Sequence, residues 1–303
     1  MISKYAYLGQ IWIDLDSPTE EELGHVMEEY SIPNLVGEEI RSRNIQSKVD
    51  LFPSFIYLVM HFPHVGRAGS HNADHEIDFI MGADFLITVH YGFIPSLHEF
   101  SKTFEVDAIL EKKTSISHAG ILFLSLIKTL YSHSQDQLRD IHVLLKETER
   151  KIFEATERKT VVMISNTNRM LLGFRQALRF HKSILNSFEQ SAMRFYGESF
   201  AHHISLIHSE YDKTQAILDS HKEILDDLRD TNDSLLANRT NETMKILTII
   251  TFLLSPFTVI SSIFMMNTDS LLISSLSDYY LVVGAMLLIS IIIFIYFKKK
   301  KWL

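Results

Sequence analysis

The chain has 303 residues, a net charge of −8 and no cysteine. This length leaves room for a soluble region together with a membrane anchor. The negative charge argues against a general role in nucleic-acid binding, because phosphate recognition requires a basic surface, and the lack of cysteine excludes disulfides, thiolate zinc sites and cysteine nucleophiles.

Residues 1–100 predict an α/β region. Tyr5 to Asp14 has a strand pattern, and it lacks the length and the basic lead-in of a signal peptide, so we expect the N-terminal region to stay in the cytoplasm. Ser17-Pro18-Thr19-Glu20 has the pattern of a capping box that starts a helix. Three further runs predict an antiparallel sheet, with a tight turn at Gly82-Ala83: Ser54–His61, Glu76–Met81 and Asp84–His90.

The region that follows predicts helices. No proline occurs between Ser96 and Ser255, and residues 120–195 have the pattern of antiparallel helices. A long helix is expected to start near Phe200 and to run without a break into an apolar segment. Pro256 lies inside that segment, where it should kink the helix and free a carbonyl group.

Two charge-free runs near the C-terminus predict a transmembrane hairpin, Ile246–Met266 and Tyr280–Phe297. At about 1.5 Å per residue, the first run is long enough to cross a bilayer core of about 30 Å, and the second is slightly short. The loop between them contains no Lys or Arg, whereas Lys298–Lys301 follow the second run. The positive-inside rule therefore places both termini in the cytoplasm and favours a multi-pass membrane protein over a soluble core hairpin.

A polar seam follows one face of the long helix at heptad spacing. Its members are acidic or small and polar in the first half and mostly hydroxyl-bearing in the membrane half: Ser220, Glu223, Asp227, Asp230, Ser234, Ala237, Asn241, Met244, Thr248, Thr251, Ser255, Thr258, Ser262 and Met265.

Polar residues inside a membrane usually face protein or water, so the seam favours several copies of the helix around a hydrated axis. The alternative is that each hydroxyl bonds its own backbone or mediates close packing of helices. A pore built from one hairpin per chain requires a homo-oligomer. The acidic members Glu223, Asp227 and Asp230 would raise the local concentration of cations.

The C-terminal motifs resemble the CorA family of divalent metal ion transporters. They are the stretch Asn241–Ile250 (NETMKILTII), Pro256, Met265-Met266-Asn267 and the terminal Lys298–Leu303 (KKKKWL). Segments farther upstream are similar to the same family, so the resemblance covers nearly the whole chain: Trp12–Leu15, Lys48–Asp50 and Leu86–His90.

The resemblance implies an α+β fold, with an N-terminal cytoplasmic α/β domain and a long stalk helix that continues into a two-helix transmembrane hairpin. It implies a funnel-shaped homopentamer in the cell inner membrane, in contact with membrane lipid. The expected parts are an α/β domain over residues 1–130, a helical region with the stalk helix over residues 131–243, and a hairpin with a basic tail over residues 244–303. The substrate would be a divalent cation, Mg²⁺ first and then Co²⁺ or Ni²⁺, moving passively without a cofactor.

The resemblance also assigns expected site residues. The Gly-Met-Asn signature of the family, whose asparagine holds a hydrated cation at the outer mouth, corresponds to Met265, Met266 and Asn267 here. Met244 and Leu247 resemble the hydrophobic constriction at the inner mouth. With Ser262 added from the seam, the expected pore lining is Asn241, Met244, Leu247, Thr248, Thr251, Ser255, Thr258 and Ser262.

Intracellular Mg²⁺ is a candidate gating ligand, with Glu223, Asp227 and Asp230 as candidate regulatory residues. No metal ligand is assigned securely. Histidine pairs offer weak transition-metal candidates without a standard ligand spacing: His71 with His75, and His203 with His208. No Walker loop, dinucleotide fingerprint or HExxH pair is present, so an enzyme is not expected.

Two other functions stay open because Met265 replaces the glycine of the signature and the acidic loop that follows it in the family is missing. One is a ZntB-like Zn²⁺ transporter, with or without proton coupling. The other is a non-conducting membrane protein that senses metal or acts as a scaffold. Comparison of Mg²⁺ and Zn²⁺ uptake separates these alternatives.

Overall fold

A computed structural model describes residues 1–7, 9–42, 47–64, 75–109, 118–154, 157–265 and 276–300. The chain divides into two compact units, Met1–Leu228 and Arg229–Leu303. The strands are β1 (Ile2–Tyr7), β2 (Gln10–Asp16), β3 (Lys48–Leu51), β4 (Ile56–Phe62), β5 (His75–Met81) and β6 (Phe85–His90). The helices are α1 (Glu20–Glu29), α2 (Asn34–Ser42), α3 (Pro95–Ile109), α4 (Ala119–Phe153), α5 (Glu157–Leu178), α6 (His181–Tyr196), α7 (Ala201–Met265) and α8 (Leu276–Lys299).

The six strands form one mixed sheet in the order β1-β2-β6-β5-β4-β3. The antiparallel arrangement predicted for the strands now called β4, β5 and β6 is confirmed. The sheet as a whole is not antiparallel, because β2 lies parallel to β6, with Ile11 opposite Phe85 and Asp16 opposite His90. Parallel pairing requires a long connection between the strands, and here that connection contains α1, α2 and three strands.

The two faces of the sheet pack against different helices. On one face, inward side chains such as Ile13, Tyr57 and Val89 form a core with the apolar residues of α1 and α2. On the other face, Phe79 contacts Phe123 of α4 with ring centroids 5.2 Å apart. Because successive strand residues point to opposite faces, both faces are apolar and the strand sequences are nearly continuous apolar runs.

Helix α1 begins two residues later than the sequence pattern predicts. Thr19, rather than Ser17, is the N-cap, and its hydroxyl accepts a hydrogen bond from the Glu22 amide at 3.1 Å. The Glu22 carboxylate in turn accepts from the Thr19 amide at 2.9 Å. This reciprocal pair forms the capping box, so Pro18 lies before the helix and not at its first position.

Helices α4, α5 and α7 each bury a stripe of residues at alternating spacings of three and four, which is typical of coiled coils. In the unit Met1–Leu228, the stripe of α7 consists of Ile204, Ile207, Tyr211, Thr214, Leu218, His221, Leu225 and Leu228. Side-chain contacts join α7 to the other two helices. Gln135 of α4 donates to Thr214 at 3.1 Å, and Lys222 donates to Asn168 of α5 at 3.2 Å.

Helix α7 is continuous from Ala201 to Met265, which confirms the long helix expected from the sequence. Within the described ranges, two helical segments are long and apolar enough to cross a membrane, one within α7 and the other within α8. In the unit Arg229–Leu303, α8 packs beside the second part of α7.

Candidate ion-conduction surface

The acidic part of the seam lies on a face of α7 that its own chain leaves uncovered. In the unit Met1–Leu228, the side chains of Ser220, Glu223 and Asp227 are exposed, whereas His221 and Leu225 belong to the buried stripe. At about 100° per residue, the seam is roughly opposite that stripe on the helix. The heptad pattern therefore separates a face that packs within the chain from a polar face that remains available.

The acidic seam residues also differ from their neighbours in charge pairing. Asp226, which is off the seam, pairs with Lys222 at 2.7 Å. Among the described residues, no salt bridge involves Glu223, Asp227 or Asp230. Uncompensated carboxylates in water keep a negative potential around this face of the helix, and such a potential attracts cations over distances of several ångströms.

The membrane half of α7 uses another face to pack against α8. Ile249 is 4% exposed in the isolated chain, and the Ser290 hydroxyl of α8 donates to the Leu253 carbonyl at 3.1 Å. The rings of Phe252 and Phe297 lie 5.8 Å apart. At about 100° per residue, Thr251 and Thr258 lie roughly opposite Ile249 on α7 and are exposed, whereas Thr248 and Ser255 lie nearer to it and are half-buried. Helix α8 therefore leaves most of the seam open.

The seam hydroxyls donate their hydrogen atoms to the backbone of α7. The donors and acceptors are Thr248 to Met244 at 2.7 Å, Thr251 to Leu247 at 2.9 Å, Thr258 to Leu254 at 3.2 Å and Ser262 to Thr258 at 2.8 Å. This geometry agrees with the alternative that each hydroxyl bonds its own backbone. It also has a chemical consequence, because a hydroxyl that has donated its hydrogen keeps two lone pairs on oxygen and can act only as an acceptor toward other groups.

Ser255 satisfies the carbonyl that Pro256 leaves free. Proline has no amide hydrogen, so the carbonyl of Phe252 loses its usual partner in the helix. The Ser255 hydroxyl donates to that carbonyl at 3.0 Å, and α7 continues past Pro256 to Met265. The serine therefore supports the helix at its weakest point, a role that the sequence pattern does not reveal.

The cytoplasmic end of the membrane segment carries two exposed apolar residues, one in the seam and one beside it. Met244 is 59% exposed and Leu247 is 53% exposed in the single chain, and Asn241 one turn earlier is also exposed. Exposed aliphatic side chains next to polar ones on the same uncovered face are suited to a narrow apolar ring once several copies assemble.

The predicted outer mouth falls at the edge of the described region. Met265 is the last residue of α7. Met266 and Asn267 lie outside the described residues, and so does His71 of the first predicted histidine pair. His208 lies 3.4 Å from the Glu189 carboxylate on α6. In the described part of the chain, no group of three or more His, Cys, Asp or Glu residues is arranged to hold a metal ion.

Comparisons with known protein sequences find matches over nearly the full length of this chain. A family model described as CorA-like Mg²⁺ transporter protein matches residues 8–299. The cobalt/magnesium transport protein CorA of Thermotoga maritima is 24% identical over 288 residues, which cover 92% of this chain and 79% of the relative. The putative metal ion transporter YfjQ of Bacillus subtilis is 22% identical, with 96% of this chain and 89% of the relative covered.

Solved structures share the fold. The complete structure of the CorA magnesium transporter from Methanocaldococcus jannaschii superposes with a TM-score of 0.86 at 18% identity, covering 100% of this chain and 98% of that chain. The full-length CmaX protein gives a TM-score of 0.74 at 12% identity, covering 95% and 88%. The ZntB cytoplasmic domain from Vibrio parahaemolyticus gives 0.56 at 11% identity, covering 77% and 88%.

Proposed function

The chain belongs to the family of CorA-like Mg²⁺ transporters, and from this premise we propose that it carries hydrated Mg²⁺ across the membrane along the seam of α7. Members of this family are divalent cation transporters and not enzymes. The observation that carries the proposal is the seam itself, which is polar between Ser220 and Ser262 except at Ala237 and Met244, and which the chain's own helices leave largely uncovered in both units.

A pore requires several copies of the chain. One chain supplies one seam, and a hydrated ion needs a polar surface on all sides, so the uncovered face of α7 must meet its equivalents around a symmetry axis. We infer a ring of five from the resemblance to the CorA family. In such a ring α7 lines the axis and α8 lies outside it, toward lipid, in keeping with the apolar surface that α8 exposes.

The lining chemistry suits an ion that keeps its water. Mg²⁺ dehydrates reluctantly and usually retains several water ligands. The hydrogens of those waters point outward and need acceptors. The hydroxyl oxygens of Thr248, Thr251 and Thr258 are acceptors because their own hydrogens are bound to the helix. A neutral lining holds the hydrated ion weakly enough to let it leave.

We assign the ends of the pore as follows. Asn267, with Met265 and Met266, forms the outer mouth, and Met244 with Leu247 forms the inner constriction. Between these two ends, the lining consists of Thr248, Thr251, Ser255, Thr258 and Ser262. Asn241 extends the lining on the cytoplasmic side. Glu223, Asp227 and Asp230 concentrate cations through their charge. Intracellular Mg²⁺ acts as a gating ligand as well as the substrate.

We propose that the protein lies in the cell inner membrane with both termini in the cytoplasm, because the only basic cluster next to a span in the sequence is Lys298–Lys301. The division into parts 1–130, 131–243 and 244–303 belongs to the same proposal. No cofactor and no nucleic-acid partner is required for this function.

The deciding experiment is divalent flux in proteoliposomes, with Mg²⁺, Co²⁺, Ni²⁺ and Zn²⁺ tested separately for the wild type and for Asn267→Ala. We expect saturable Mg²⁺ flux that falls at least about tenfold in the variant, since a lost ion contact of about 1.4 kcal/mol corresponds to a factor of ten. Ile250→Val, on the same helix but off the seam, controls for effects on assembly.

The other outcomes point elsewhere. Flux of Zn²⁺ alone, especially if a proton gradient drives it, would replace the Mg²⁺ proposal with the ZntB-like function. No flux of any ion, with an assembled protein in the membrane, would favour a metal sensor or scaffold. Full Mg²⁺ flux in Asn267→Ala would remove the role assigned to that residue.

A further inference from the structure

Asp78 is a fully buried carboxylic acid in the sheet of the unit Met1–Leu228. It lies on β5 directly opposite Val59 of β4 and Val89 of β6, and its exposed fraction is 0%. Both valines belong to the core that the sheet shares with α1 and α2. A charged carboxylate in apolar surroundings is strongly disfavoured unless it is paired or takes up a proton.

Only one of the two carboxyl oxygens of Asp78 has a hydrogen-bond partner among the described residues. Its Oδ1 atom accepts a hydrogen bond from the Tyr57 hydroxyl at 2.6 Å. Its Oδ2 atom is buried and has no hydrogen-bond partner among the described residues. An ionised carboxylate keeps charge on both oxygens, so a bare buried oxygen disfavours the ionised form in particular.

The charged groups around Asp78 come from three elements. Glu76 of β5 and Glu39 of α2 oppose its ionisation, whereas Lys48 of β3 and the hydrogen bond from Tyr57 favour it. Lys48 does not pair with Asp78 directly. Its ammonium group is bound to Glu39 and, at 2.9 Å, to Asp50, and it lies 5.0 Å from the centre of the Tyr57 ring.

The balance of these effects places the titration of Asp78 in the physiological range. Burial raises the pKa of Asp78 to about 7, although the hydrogen bond from Tyr57 opposes the increase. Near neutral pH the protein therefore contains both forms, and a small change in cytoplasmic pH changes their ratio.

We propose that Asp78, Tyr57 and Lys48 form a proton-responsive latch that controls how firmly α2 is held to the edge of the sheet. In the protonated form, Asp78 is neutral and Lys48 remains with Glu39 of α2. When the proton leaves for solvent, the new negative charge beside the Tyr57 hydroxyl attracts the Lys48 ammonium. The pairing with Glu39, which joins α2 to the edge strand β3, is then weakened.

Infrared spectroscopy of the full-length protein in lipid nanodiscs tests the protonation directly, because a protonated buried carboxyl group has a C=O stretch separate from that of carboxylates and amides. We expect a band present at pH 6 that disappears with a midpoint near pH 7. The band should be absent in Asp78→Asn and unchanged in Asp84→Asn, which removes an exposed carboxyl group from the neighbouring turn. Absence of the band in the wild type, or its persistence in Asp78→Asn, overturns the proposal.

A second variant separates titration from a merely structural effect. Tyr57→Phe removes the hydrogen bond that favours ionisation, so the midpoint should rise by roughly one pH unit. If the midpoint did not move, the role assigned to Tyr57 would be overturned. This test does not depend on whether Asp78→Asn folds.

Hydrogen–deuterium exchange tests the latch. At pH 8, peptides from α2 should exchange several-fold faster in the wild type than in Asp78→Asn, whereas at pH 6 the two proteins should exchange at the same rate. Asp84→Asn should match the wild type at both pH values. Comparison at equal pH cancels the intrinsic pH dependence of exchange. Equal behaviour of the wild type and Asp78→Asn at both pH values would overturn the link to α2.

Discussion

Acidification should destabilise the unit Met1–Leu228 through one buried histidine, His181 at the start of α6. Its exposed fraction is 0%. Its Nε2 atom lies 2.8 Å from the His61 carbonyl and donates to it, which leaves Nδ1 to accept from the Tyr131 hydroxyl at 2.7 Å. Only the neutral ring can accept the Tyr131 hydrogen bond at Nδ1, and burial lowers the pKa of His181 to about 4.

The magnitude follows from the difference between the folded and unfolded states. The unfolded chain binds a proton at this histidine below pH 6.5, whereas the folded chain binds it only below about 4. Stability contributed by the neutral ring is therefore present above pH 6.5 and is lost as the pH falls toward 4. At about 1.4 kcal/mol per unit, the loss is about 3 kcal/mol by pH 4.

The assay compares the wild type with His181→Gln, because a glutamine amide can donate to the His61 carbonyl and accept from Tyr131 without titrating. The difference in unfolding free energy between the two proteins should change by about 3 kcal/mol between pH 7.5 and pH 4, with the variant gaining. Other groups titrate equally in both proteins and cancel. Parallel pH curves for the two proteins would refute the assigned protonation state.

Two further predictions concern the unit Arg229–Leu303. Thr251→Val removes a seam hydroxyl at nearly constant shape, and the loss of an acceptor worth about 0.5–1.5 kcal/mol should lower Mg²⁺ flux roughly two- to tenfold. The control Ile250→Val, beside the seam, should not lower the flux. Equal flux in both variants would contradict the lining role of Thr251. Ser290→Ala removes the hydrogen bond to the Leu253 carbonyl and should destabilise the hairpin by about 1 kcal/mol, measured as a lower melting temperature in detergent; an unchanged melting temperature would show that the contact adds no net stability.

Much of the fold can be predicted because it depends on patterns along the chain. The apolar runs of α7 and α8, the lack of helix breakers after Phe200 and the short apolar runs of the strands near Ile80 are local features, and the structure confirms the corresponding elements. The heptad seam was also predictable, since residues three and four apart lie on one side of a helix whatever the helix packs against. The assignment of its members to a pore remains a prediction.

Other features required the tertiary structure because they depend on residues distant in sequence. Nothing near Gln10–Asp16 specifies a parallel partner at Phe85–His90. Asp78 lies in a strand pattern that fits either face, and only the pairing with β4 and β6 shows that its carboxyl group is enclosed beside Tyr57.

The same division holds for the candidate conduction surface. The sequence by itself determined that α7 has a polar side and an apolar side, because side-chain chemistry repeats with the helical period. Only the tertiary structure decided that α4 and α8 pack away from the polar side. The physical reason is that burial and hydrogen-bond partners are set by contacts between distant segments, which no local pattern contains.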